Sequence, residues 1–154
     1  MDIKQAAQFL ESCTARSQSV MLQGSNSKAF FGRSIEACAP SVETLSVSEH
    51  SGIIHYEPTE LVVQVRSGTR LADVTAVLEE NGQMFAFDPT NFGGQSTIGG
   101  MVSAGLSGSR RPYAGSVRDF VLGVEMLSAT GELINFGGQV MKNVAGYDVS
   151  RLLV

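Results

Sequence analysis

Residues 91–105 read NFGGQSTIGGMVSAG, and this glycine- and serine-rich stretch indicates the fold more strongly than any other part of the chain. Ser96 or Thr97 can cap a short helix that starts near Ile98. The glycine pair at 99–100 would then leave the amino-terminal amides of that helix open, which favours an anion there. The alternative interpretation is a glycine-rich helix that only packs closely against its neighbours.

A second stretch of small residues, Gln23-Gly24-Ser25-Asn26-Ser27-Lys28, directly follows a short apolar segment at 20–22. Such a chain can curl so that several backbone amides point to one spot, and Lys28 adds a positive charge. The stretch therefore predicts a cradle for a phosphate or a diphosphate. An ordinary surface turn has much the same composition and stays an equal alternative for this stretch taken alone. Two such stretches in 154 residues indicate a ligand more strongly than either does by itself.

Several other kinds of site are not indicated. The sequence contains neither G-x-G-x-x-G nor G-x-x-x-x-G-K-[ST], so neither a Rossmann dinucleotide site nor a nucleoside-triphosphatase loop is predicted. There are two histidines, His50 and His55, which is too few for a histidine metal cluster or a convincing Ser-His-Asp relay. We therefore expect no catalytic residue and no metal ligand in this chain.

Composition narrows the function classes further. Hydrophobic residues make up 43% and charged residues 17% of the chain, as in globular proteins. Eleven basic against fifteen acidic residues give a net charge of −4, which argues against a general nucleic-acid binder. No apolar run is long enough for a transmembrane helix, and the acidic amino terminus resembles no targeting signal. A cytoplasmic protein is expected.

Hydrophobic periodicity predicts an α+β domain without internal repeats. The expected helices run over about 3–17, with Cys13 as a small core residue, and over 70–81, with Thr69 as cap and Gly82 as stop. The expected strands are at 20–22, 52–57 and 61–66, with Pro58-Thr59-Glu60 as a hairpin connection between the last two. A second hairpin is expected over 121–136.

Three longer strings carry a resemblance to a known family: QGSNSKAFFGR at 23–33, STIGGMVSAGLSGSRRPYAGSVRDFVLG at 96–123, and FGGQVMKNVAGYDVSRLLV at 136–154. Over essentially its whole length the chain resembles the FAD-binding subunits of bacterial glycolate oxidases. These are flavoproteins of the vanillyl-alcohol-oxidase or p-cresol-methylhydroxylase (PCMH) type. The resemblance implies a two-lobed FAD-binding domain, with the first lobe over 1–88 and an incomplete second lobe over 89–154. The family continues with the rest of that lobe and a cap domain, so an amino-terminal piece is expected.

The resemblance also implies which residues hold the cofactor. The diphosphate contacts would come from Gln23, Gly24, Ser25, Asn26, Ser27 and Lys28 in the first lobe, and from Thr97, Ile98, Gly99, Gly100, Ser103 and Gly105 in the second. Tyr113 and Gly115 would lie along the flavin, and Gly146-Tyr147-Asp148 would turn back toward it. Members with covalent flavin often carry a histidine in the first phosphate loop. This loop has none, so the resemblance implies non-covalent FAD.

The function implied by the resemblance is oxidation of a 2-hydroxyacid, glycolate to glyoxylate, with electrons passing through flavin. Such an enzyme would combine this FAD-binding subunit with a catalytic flavoprotein subunit and an iron–sulfur subunit. The piece alone is expected to be inactive. Two alternatives remain: a flavin-poor scaffold or electron-relay subunit of the same complex, and another flavoenzyme of this fold.

Overall fold

Helices and strands are interspersed along the chain, so the predicted α+β class is confirmed. The structure is a computed structural model that describes residues 2–32, 41–138 and 148–154. The strands are β1 (Ser19–Gln23), β2 (Val42–Ser46), β3 (Ile53–Glu57), β4 (Val62–Val65), β5 (Gly123–Leu127) and β6 (Leu133–Gly137). The helices are α1 (Ile3–Ala15), α2 (Leu71–Glu80), α3 (Ile98–Ala104), α4 (Arg111–Ala114), α5 (Val117–Phe120) and α6 (Val149–Leu152), with a 3₁₀ turn at Phe92–Gly94 before α3.

The strands of the described residues form three pairs. β3 with β4, and β5 with β6, are the two antiparallel hairpins that the sequence predicts. β1 and β2 instead pair in parallel, from Ser19 opposite Val42 to Gln23 opposite Ser46. A parallel pair needs a crossover connection, and this one leaves β1 at Gln23. The stretch 23–28 therefore begins at the carboxyl end of a parallel strand, the end at which open α/β sheets place ligands.

Thr69 does not cap α2 as the sequence predicted. The capping position belongs to Arg70, which makes no side-chain cap bond. The Thr69 hydroxyl instead donates to the carbonyl of Arg66 at 2.6 Å and accepts from the amide of Gly52 at 2.9 Å. A threonine next to a hairpin can satisfy strand groups as readily as helix groups, and here it ties the β3–β4 hairpin to the start of α2.

A small apolar core lies beneath the glycine-rich stretch. It joins Leu71 of α2, Phe87, Met101 of α3 and Val117 of α5, all of which are buried. The core takes residues from both sides of position 88, and the division into lobes at that position stays a prediction. Cys13 of α1 is also buried, as the sequence predicted.

Met101→Ala should measure how far this core stabilises α3. Truncating a buried methionine is expected to cost about 2–5 kcal/mol, through lost burial and the cavity it leaves. Met84→Ala is the matched control, since Met84 is 67% exposed and Met101 is 5% exposed. The control should change the free energy of unfolding by less than about 0.5 kcal/mol. Urea denaturation of both variants checks the prediction, and equal losses would contradict the proposed position of the core.

Candidate functional site

The two glycine- and serine-rich stretches meet at one groove of about 240 Å³. One side of the groove is formed by the first stretch and its neighbours in sequence: Leu22, Gln23, Gly24, Ser25, Asn26, Ser27, Lys28, Ala29 and Phe31. The second stretch contributes Thr97, Gly100, Ser103 and Ala104. Nine of these are residues that the sequence predicted for the site. Leu22, Ala29 and Phe31 were not predicted, because nothing in the sequence separates them from ordinary apolar neighbours. Ala104 is the small residue between the predicted positions 103 and 105.

All six residues of the loop at 23–28, here named the first loop, line the groove. Asn26 adopts a left-handed conformation with φ of 60°, which asparagine tolerates better than most residues. Among the described residues, none accepts a hydrogen bond from the amides of Ser25, Asn26, Ser27 and Lys28. Unpaired amides that follow such a bend form the kind of concavity that binds anions.

Thr97 brings α3 up against the first loop. Its hydroxyl oxygen accepts from the Gly100 amide at 3.2 Å, so Thr97 is the residue that caps α3. A Cβ atom added at Gly24 would lie 2.7 Å from that same hydroxyl oxygen. Only glycine fits at position 24 without moving Thr97. For that reason the first loop can approach the start of α3 this closely.

The amides at the start of α3 are not open as the sequence suggested. The Ile98 amide donates to the carbonyl of Thr69 at 2.9 Å, and the Gly99 amide donates to the carbonyl of Ser67 at 2.8 Å. An added Cβ at Gly99 would lie 2.8 Å from the Ser67 Cβ. Gly99 is therefore needed for packing against the backbone at Ser67, and the expectation that Ile98 and Gly99 offer free donors is wrong. The sequence did not reveal this, because the partner carbonyls lie about thirty residues away.

Lys28 supplies the positive charge at the groove. Its ammonium nitrogen donates to the Ser96 hydroxyl at 3.0 Å and lies 5.6 Å from the centre of the Phe92 ring, an attractive arrangement. Partial burial lowers the pKa of Lys28. Ser96 is completely buried, and sequence reasoning considered it only as an alternative cap for α3.

Five residues predicted for the site do not line the groove. They are Ile98, which packs on the core, Gly99, Gly105, which ends α3, Tyr113 and Gly115. Tyr113 is 93% exposed, so its ring is open to another group. Gly146 and Tyr147 lie outside the described residues. Any contact of these residues with a cofactor stays a prediction.

Asp119 shapes the turn that follows α4. Its carboxylate accepts from both the amide and the hydroxyl of Ser116, each at 2.8 Å, and so caps α5. These hydrogen bonds, with smaller contributions from Arg151 and Arg118, hold the pKa of Asp119 below its usual value. Gly115 ends α4 at this turn. A Cβ atom added there would lie 3.1 Å from the Asp119 carboxylate. The capping carboxylate thus lies beside a residue that the resemblance places along the flavin.

Residues 2–32, 41–138 and 148–154 contain no group of three or more histidine, cysteine, aspartate or glutamate side chains arranged to hold a metal ion. No helix within them has the length and apolar character that spanning a membrane requires.

The chain matches a known protein family and is similar to two glycolate oxidase subunits. The sequence profile of the FAD binding domain family matches residues 2–137. Glycolate oxidase subunit GlcE of Escherichia coli is 53% identical over 135 residues, which make up 88% of this chain and 37% of that protein. Glycolate oxidase subunit GlcD of Bacillus subtilis is 35% identical over 102 residues, or 66% of this chain and 22% of that protein. The chain thus spans well under half the length of these relatives.

A structure of alkyldihydroxyacetonephosphate synthase aligns with 96% of this chain and 26% of its own length. The TM-score is 0.70 at 15% sequence identity, which shows a shared fold. Together with the family match, this confirms the FAD-binding PCMH-type fold that the sequence predicted.

Gly99→Ala should destabilise the protein more than Gly100→Ala, although the two glycines are neighbours in α3. A Cβ at position 99 meets the Ser67 backbone, whereas one at position 100 comes no closer than 3.2 Å to the Thr97 hydroxyl. The expected loss for Gly99→Ala is about 1–3 kcal/mol, with a smaller effect for Gly100→Ala. Thermal or urea unfolding measures both, and the reverse order would contradict the packing described for Gly99.

Asp119→Asn should make the free energy of unfolding depend less on pH in the acid range. A carboxylate with a lowered pKa stabilises the folded state above its unfolded pKa, and that contribution is lost as pH falls through the folded value. The variant is therefore expected to be less stable than wild type near neutral pH and to lose less stability below about pH 4. Denaturation at a series of pH values checks this, with Ser116→Ala expected to reproduce part of the change. Parallel curves for wild type and variant would refute the ionised cap.

Proposed function

Because this chain belongs to the FAD binding domain family, we propose that the groove between the first loop and α3 binds the diphosphate of FAD without a covalent bond. The observation that carries the proposal is the meeting of two distant small-residue stretches at one groove, which is lined both by Lys28 and by residues whose amides have no acceptor in the described part of the chain. A diphosphate carries negative charge, and backbone amides with a nearby cation are the groups that bind it most readily.

The residues present fit such a group. The first loop supplies the donors through the amides of residues 25–28 and through Lys28, while Thr97, Gly100 and Ser103 form the opposite wall. No histidine occurs in the first loop, which supports a non-covalent flavin. Tyr113 and Gly115 are proposed to lie along the flavin, as the resemblance implies, and the exposed ring of Tyr113 leaves it free for that contact.

For the whole protein we propose a subunit of a multi-subunit 2-hydroxyacid oxidase that converts glycolate to glyoxylate. The names and identities of the two glycolate oxidase subunits support this proposal. When bound, FAD supplies the electron acceptor for oxidation of the hydroxyacid carbon. This chain's residues bind and orient the cofactor. A catalytic flavoprotein subunit and an iron–sulfur subunit are the proposed partners, and the cytoplasm, with membrane association through those subunits left open, is the proposed location.

A second candidate, a flavin-poor scaffold or electron-relay subunit, is favoured by one observation. The amides of Ile98 and Gly99 are committed to the carbonyls of Thr69 and Ser67, so α3 offers fewer donors to a diphosphate than its sequence suggests. A subunit that kept the fold and lost the cofactor would show such a closed helix start.

The two candidates differ in flavin content. If the first holds, denaturing the full-length protein releases a yellow chromophore with the absorbance of FAD, at about one per chain. Glycolate added to the assembled complex without oxygen should then bleach that absorbance. A protein that is purified without flavin and fails to take up added FAD would refute the first candidate and support the second.

Gly24→Asp should abolish tight FAD binding, and Gly24→Ala should weaken it much less. Both variants must displace the Thr97 hydroxyl, but only aspartate places a negative charge where the diphosphate is proposed to lie. The expected loss of affinity for Gly24→Asp is on the order of 100-fold, measured by FAD titration after confirmation that both variants are folded. Equal affinities for the two variants would place the diphosphate elsewhere.

A further inference from the structure

We propose that Ser96 is a positioning residue that holds the Lys28 ammonium over the groove, an inference that rests on the proposed function. Ser96 does not line the groove and is 0% exposed, so it cannot touch a ligand there directly. Its hydroxyl nonetheless contacts the first loop, at 3.0 Å from the Lys28 ammonium nitrogen and 3.3 Å from the Ser27 hydroxyl.

The hydrogen bonds of this hydroxyl orient it toward Lys28. Its oxygen accepts from the Phe92 amide at 3.3 Å and from the Lys28 ammonium, which occupies both of its lone pairs. Its single proton is then directed to the Ser27 hydroxyl or to the Thr90 carbonyl, which lies at 3.4 Å. With either acceptor for its proton, the Ser96 oxygen keeps a lone pair for the ammonium.

The backbone at Ser96 is held just as firmly. Its amide donates to the side-chain oxygen of Asn91 at 3.2 Å, and its carbonyl accepts from the Leu71 amide at the start of α2 at 2.8 Å. Leu71 belongs to the buried core. The acceptor for Lys28 is therefore anchored to the core, whereas Lys28 itself sits on a surface loop.

The Phe92 ring completes the support of the lysine. The ammonium lies over that ring, and Phe30 packs edge-on against the ring with 5.1 Å between the ring centres. A Cβ atom added at Gly100 would lie 3.9 Å from the Lys28 nitrogen. Ser96 and Phe92 thus hold the charge beside Gly100, in the first turn of α3.

Holding a lysine in place before a ligand arrives increases affinity. A free lysine side chain samples many rotamers, and fixing it on binding costs conformational entropy. Without the Ser96 hydroxyl, the ammonium would turn toward water and would have to be reordered by the diphosphate. The expected effect of Ser96→Ala is a loss of about tenfold in FAD affinity, the size associated with one hydrogen bond to a charged group.

The test is FAD titration of the full-length protein, stripped of flavin, for wild type, Ser96→Ala, Lys28→Met and the double variant. If Ser96 acts through Lys28, Ser96→Ala weakens binding about tenfold in the wild-type background and has little further effect once Lys28 is methionine. Equal losses in both backgrounds would show a merely structural role and overturn the inference. If Lys28→Met alone leaves the affinity unchanged, the diphosphate is not at this groove, and the proposed site fails with the inference.

Two further variants keep the test decisive. Ser107→Ala is the matched control, because Ser107 is also buried and its hydroxyl accepts from the Val117 amide at 3.0 Å, but it does not line the groove. It should leave FAD affinity unchanged, and a loss equal to that of Ser96→Ala would count against a specific role for Ser96.

Should Ser96→Ala fail to fold, Ser96→Cys preserves the shape while offering a weak acceptor. Wild-type affinity in a folded Ser96→Cys protein would overturn the inference, and weakened affinity would support it.

Discussion

The close approach of Gly24 to Thr97 is the contact on which the candidate site depends. A side chain at position 24 would come within 2.7 Å of the Thr97 hydroxyl, so the first loop can rest on the start of α3 only because it carries a glycine there. Beside this contact, Lys28 reaches the buried Ser96 hydroxyl. If the first loop lay apart from α3, it would be a surface turn of ordinary composition, and the groove would not exist.

The two glycine-rich stretches use their small residues for different physical reasons. In the first loop, the backbone bends so that consecutive amides remain unpaired among the described residues, and the residues that carry them line the groove. At the start of α3, the small residues let the helix pack against the backbone at 67–69, which takes up its first two amides. The donors thus come mainly from one loop, while the other supplies a rigid wall and the anchor for Lys28.

Local patterns predicted much of the fold. The apolar stripe of α1, the stop at Gly82 and the two hairpins follow from interactions between residues close in sequence, and the structure places them within a few residues of the expected positions. The parallel pairing of β1 with β2 was not predicted, because parallel partners lie on either side of a crossover and leave no turn signature. Thr69 was assigned to the wrong partner for a similar reason, since its hydroxyl could satisfy the hairpin as well as the helix.

By itself, the sequence determined the α+β class, the family resemblance and the composition of the two loops, because these depend on periodicity, residue type and order along the chain. The tertiary structure alone decided that residues 23–28 line one groove with Thr97, Gly100, Ser103 and Ala104, since contacts across roughly seventy residues have no local signal. It also decided which donors remain open. An amide is available to an anion only if no carbonyl reaches it first, and at Ile98 and Gly99 the carbonyls that do so belong to a segment brought there by folding.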